Sequence, residues 1–123
     1  MWVRCNPNPK GKEVGDCVIR AISIALHLSW HEVFDDLCAL ASQECDMPNA
    51  DAVWGKYLYQ RGFEPFLLPN ACPACVTVRE FTRRFPKGTY IIGTGDHAVC
   101  VIDGSFYDSW DSGLQTASFF WRI

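Results

Sequence analysis

The feature that most constrains this chain is a change of hydrophobic period near residue 88. Before it, apolar residues recur at three- and four-residue spacing; after it, they fall in short β-rich runs. Helices first and strands second is an α+β pattern, with N-terminal helices packed on a C-terminal antiparallel sheet. The first helix is expected from Cys17, with Val18, Ala21, Ile22, Ala25 and Leu26 on its apolar face. Gly15 gives a tight turn into it and Asp16 is positioned to cap it. Ser29 and Glu32 form a capping box that opens a second helix burying Val33, Phe34, Leu37 and Leu40. A third helix is expected over about 50–61, using Val53, Trp54, Tyr57 and Leu58, with Gly62 as its stop. A short extended segment over 63–68 and a loop over 69–75 follow, and a second capping box, Thr77 to Glu80, starts a short fourth helix.

In the second part, residues 89–94, 97–102, 105–110 and 119–123 read as strands. Asp103-Gly104 joins the middle two and signals a two-residue hairpin. That turn pairs Ile102 with Ser105, Val101 with Phe106 and Val99 with Asp108. His97 shares a face with Val99 and Val101, so Asp108 lies diagonally across from it, about 7–8 Å away at the backbone. An Asp–His hydrogen bond spans that distance. Asp103 falls in the turn and Asp111 on the opposite face. The first fifteen residues, with two X-Pro steps and two glycines, read as extended or looped.

At 123 residues, 49% of them hydrophobic, the chain fits one domain over 1–123 with a buried core. A net charge of −3 argues against a nucleic-acid partner or a polybasic membrane surface. No apolar run reaches the roughly 20 residues of a membrane helix. The opening Met1-Trp2-Val3-Arg4-Cys5-Asn6-Pro7 lacks the basic-then-apolar order of a signal peptide. A cytoplasmic location is therefore expected, where all seven cysteines would stay as thiols.

Among those cysteines, Cys17 is distinguished by its place in the first turn of a helix. Unpaired N–H groups and the positive end of the helix dipole favour a thiolate there. His97 follows a Gly-Thr-Gly-Asp turn at a strand start, and Asp108 lies within its reach. His27 and His31 flank the junction of the first two helices and read as surface or capping residues, whereas Cys100 reads as sheet core. Cys72-Pro73-Ala74-Cys75 is the only C-x-x-C; it lacks the further ligands of a zinc site and the strand–helix setting of a thioredoxin motif. No metal or cofactor is expected.

The segments Gly15-Asp16-Cys17-Val18-Ile19-Arg20-Ala21-Ile22 and Gly95-Asp96-His97-Ala98-Val99-Cys100-Val101, in that order and on those elements, resemble the papain-like cysteine peptidases. The small bacterial or phage members, including bacteriocin-processing domains, are similar in carrying an Asp-Cys pair at the helix start. The resemblance covers most of the chain and implies a minimal papain-like fold. It implies Cys17 as nucleophile, His97 as general base and then acid, and Asp108 as orienter of the imidazole. One departure stands out: no Gln precedes Cys17, so Asn6 and Asn8 are the candidate oxyanion donors, and the two are not ranked. Trp110 is a candidate to shield the His–Asp pair or to line the substrate cleft. The implied substrate is a peptide or protein, cleaved at a peptide or isopeptide bond. The oligomeric state is left open. Two other readings are a non-catalytic interaction module on the same scaffold, binding a host target, and a zinc or redox regulator built on Cys72 and Cys75.

Overall fold

The structure, a computed structural model, describes residues 1–69 and 71–123. Asn70, in the expected 69–75 loop, lies outside the described residues. The elements follow in the order β1 (Trp2–Arg4), α1 (Cys17–Leu26), α2 (Trp30–Glu44), α3 (Asp51–Gln60), β2 (Glu64–Leu67), β3 (Val76–Thr77), α4 (Val78–Arg84), β4 (Thr89–Gly93), β5 (Ala98–Ile102), β6 (Ser105–Asp108), β7 (Thr116–Ala117) and β8 (Phe119–Arg122). The fold is α+β, with helices mainly N-terminal and most of the sheet C-terminal.

Local signals account for most boundaries. Ser29 Oγ accepts from the Glu32 N–H and Thr77 Oγ1 from the Glu80 N–H, so both expected helix starts are capped. His27 closes α1 with a left-handed conformation at φ 55°, as a C-terminal cap does. Asp103 and Gly104 both take positive φ, 47° and 80°, which is the geometry of the type I′ turn that Asp-Gly favours.

The large sheet runs in the order β1-β6-β5-β4-β8-β2, and β3 pairs with β7 in a separate two-stranded ladder. The C-terminal strands β4, β5, β6 and β8 pair antiparallel as expected, and β1 and β2, from earlier in the chain, extend that sheet at its two edges. β1 joins the edge in parallel, Trp2 opposite Phe106 and Arg4 opposite Asp108. Three residues are too few to reveal alternation, and the partner strand lies about a hundred residues away in the chain, so nothing local announces the pairing.

The sheet is also covered on both sides. Ile91, Ala98 and Cys100 pack with α1, α2 and α3, whereas Tyr90, Ile92, Val99, Val101, Phe106 and Phe120 pack with Val78 and Phe81 of α4. The strict alternation of adjacent residues between two cores explains why β4 and β5 read as continuous apolar runs. On the α4 side Phe81 stacks with Phe85 and meets Tyr90 and Phe120 edge-on. Each such pair adds about 0.5–1.5 kcal/mol beyond the area it buries. On the other side α1 lies across β5, which brings its first turn to the start of that strand.

The expectation of seven free thiols is corrected at Cys72 and Cys75, which form a disulfide. The intervening Pro73-Ala74 turn leaves their Cα atoms 4.6 Å apart, inside bridging range. The other five cysteines are free. Among the described residues, no helix is long and apolar enough to cross a membrane.

Candidate active site

Cys17 is the first residue of α1, and its half-buried thiol opens into a cleft of about 210 Å³. Val18, Asn49, Asp51, Trp54, Gly95, Asp96, His97, Ala98 and Phe119 complete the walls. His97 immediately precedes β5. The hairpin register beside it pairs Ile102 with Ser105, Val101 with Phe106 and Cys100 with Tyr107, as the Asp-Gly turn predicts. His97 Nε2 and Asp108 Oδ2 are 2.5 Å apart, which leaves Nδ1 as the ring nitrogen that faces the thiol.

The electrostatics of this line differ from those of an ordinary thiol and imidazole. Burial by itself raises the Cys17 pKa. Hydrogen bonds from His97 and the Ala98 backbone, with the positive charges of His97 and Arg20, outweigh it and bring the pKa below its usual value. Burial by itself lowers His97, but the Asp108 hydrogen bond, the Cys17 hydrogen bond and both negative charges push it up to about 9. Asp108 is buried, which raises its pKa. Hydrogen bonds from His97 and Ser112, the His97 charge and the Ser109 N–H hold it below the usual carboxylate value. These directions favour the thiolate of Cys17 and the imidazolium of His97 over their neutral forms, with the Asp108 carboxylate steadying the imidazolium.

Behind the line lies a buried network that the sequence reading missed. Arg20 reaches Asp16 through Nη1 and Asp108 through Nη2, the latter at 3.4 Å. All three are almost wholly enclosed, at 6%, 3% and 3% exposure. Asp16 Oδ2 further accepts from Trp30 Nε1 at 2.9 Å and Asn8 Nδ2 at 3.2 Å. Ser112 Oγ donates to Asp108 at 2.7 Å and the Ser109 N–H at 2.8 Å. Every buried polar side-chain atom among the described residues has a partner, as buried charge requires. A signal for Arg20 was present: it sits four residues after Asp16, the spacing at which opposite charges meet on a helix.

Three expectations are revised by these contacts. Asp16 occupies the N-cap position, but its side chain makes no cap hydrogen bond because the carboxylate is turned to Arg20, Trp30 and Asn8. The N–H groups of the first turn, Cys17's among them, are therefore not capped by the Asp16 carboxylate. Asn6 and Asn8 do not line the cleft. Asn6 Nδ2 donates to the Lys12 carbonyl and its Oδ1 accepts from the Asn8 N–H; Asn8 Oδ1 accepts from the Lys10 and Lys12 N–H groups. Both build the turn before α1, and Asn8 acts on the site only through Asp16. Trp110 stands 43% exposed with its ring 4.9 Å from the imidazole, so it screens His97 rather than walling the cleft.

Asn49, Asp51 and Phe119 are cleft residues that no local pattern indicated, because two separate segments, the entry to α3 and the start of β8, deliver them. Among the described residues, no group of three or more His, Cys, Asp or Glu is arranged to hold a metal ion. Comparison with protein-family models, curated proteins and solved structures finds no match to this chain.

Proposed function

We propose that this chain is a papain-like cysteine peptidase or a related thiol hydrolase acting on peptide or isopeptide bonds. The observation that carries the reading is the unbroken line Asp108–His97–Cys17 at the mouth of a cleft and the start of a helix. In the first step the Cys17 thiolate attacks a substrate carbonyl carbon, and the C–S bond forms as negative charge moves to the oxygen. The Cys17 N–H at the helix start is the donor available to that oxygen. As the tetrahedral species collapses, the imidazolium of His97 gives its proton to the leaving amine and a thioester remains. Water then attacks the thioester while His97 takes up its proton, and the thiolate departs with the acid released. Asp108 holds the ring so that Nδ1 faces sulfur throughout, and Arg20 and Ser112 hold Asp108.

The test is labelling of the whole protein with a thiol-reactive peptide-like probe. Cys17→Ala should abolish labelling, and Cys72→Ala and Cys75→Ala should leave it intact. The rate should rise with pH as Cys17 ionises, starting below the ordinary thiol range. Turnover of an amide needs the imidazolium and should fall again through about pH 9 as His97 loses its proton. A Cys17 no more reactive than an ordinary thiol at neutral pH would sink the enzyme reading and leave a binding module in its place.

A further inference from the structure

The space at Cys17 does not end at Phe119. A second cavity of about 350 Å³ lies beyond it, lined by Asp51, Pro65, Phe66, Leu67, Phe119 and Trp121. Asp51 and Phe119 belong to both cavities. The register of β2 and β8 explains the floor, with Pro65 opposite Trp121 and Leu67 opposite Phe119. Directly opposed residues share a face, so these four make one apolar surface on the helical side of the sheet, where Phe119 and Trp121 meet the core.

The aromatic walls are held in place. Phe119 lies over its cross-strand partner Gly93, where an added Cβ would come within 2.1 Å of the ring. It also stacks on Trp54 with centroids 5.7 Å apart. Trp121 lies against Gly55 of α3, whose absent side chain leaves room for the indole. Against these fixed rings, Leu67 is 89% exposed on an edge strand, an apolar side chain with little over it. Asp51, whose carboxylate accepts from Trp54 Nε1 at 3.0 Å, stands where the cavities join.

We propose that this groove receives a large apolar side chain, aliphatic or aromatic, of the same peptide whose carbonyl Cys17 attacks. The proposal rests on the hydrolase reading and specifies its substrate class. Continuity is what selects the occupant: the shared wall lets one extended chain touch both cavities. The carboxylate of Asp51 at the junction disfavours an acidic side chain there by like-charge repulsion.

The experiment uses peptidyl chloromethyl ketones on a glycine background, with Leu, Phe or Asp moved through the three positions before the reactive carbon. The Cys17 thiolate displaces chloride and forms a C–S bond, and intact mass gives the second-order rate. Iodoacetamide, too small to need the groove, is run in parallel. At one position Leu and Phe should raise the rate at least about tenfold over Gly, and Asp should not. Leu67→Asp should cancel that gain and leave the iodoacetamide rate unchanged, and its exposure keeps the substitution out of the core. A flat panel with a reactive Cys17, or a preference that survives Leu67→Asp, overturns the groove alone. An unreactive Cys17 towards iodoacetamide removes the hydrolase reading and the groove with it.

Discussion

The start of α1 and the middle of β5 each hold a free cysteine, and the two environments drive the thiols in opposite directions. Cys100 is wholly enclosed among apolar side chains, and burial pushes its pKa far up. Cys17 is half-buried, yet its pKa falls, because His97, the Ala98 N–H and Arg20 more than offset its desolvation. Burial by itself silences a thiol; burial among aligned donors and cations activates one. The contrast extends to the surroundings. Around Cys100 stand aliphatic side chains, whereas the region of Cys17 is backed by the enclosed Asp16–Arg20–Asp108 network.

Three perturbations would break or sharpen that comparison. The largest effect is expected from Arg20→Met, which leaves Asp16 and Asp108 buried without their shared cation. It should lower stability by about 3–5 kcal/mol in denaturant titration, whereas Arg79→Met, at an exposed pair with Asp111, should cost under about 1 kcal/mol. Next, His97→Ala keeps Cys17 half-buried but removes its principal donor and charge. Its thiol should then move upward towards the behaviour of Cys100, with alkylation at neutral pH slowed on the order of 100-fold in a stopped-flow assay. The smallest change is expected from Asp108→Asn. An amide supplies no negative charge to the imidazolium, so the His97 pKa should fall from about 9 towards its ordinary value. The alkaline limb of the pH–rate profile would move to lower pH by the same amount; an unmoved limb would show that Asp108 does not govern the imidazole.

Much of the fold could be read from the chain because its signals are local. Ser29 and Thr77 announce helix starts through bonds made three residues away, and Asp103-Gly104 dictates a hairpin whose register follows by counting. The same counting brings Asp108 to His97, so half of the candidate site is a consequence of turn chemistry. What could not be read depends on distant partners. Arg20 and Asp108 are 88 residues apart, and β1 finds β6 across an even longer stretch. Asn6 and Asn8 illustrate the converse error: short polar side chains near a nucleophile looked like donors for an oxyanion, but the turn they sit in already uses them.

The sequence by itself therefore determined the order of elements, the helix that begins at Cys17 and the hairpin that joins His97 to Asp108, because periodicity and turn preference act over a few residues. Only the tertiary structure decided that the first turn of α1 abuts the start of β5, that Asp16 turns from its cap to Arg20, and that Phe119 divides a cleft from a groove. Those outcomes follow from packing both faces of one sheet and from finding a partner for every enclosed charge. Such conditions are met by the folded chain as a whole and by no segment alone.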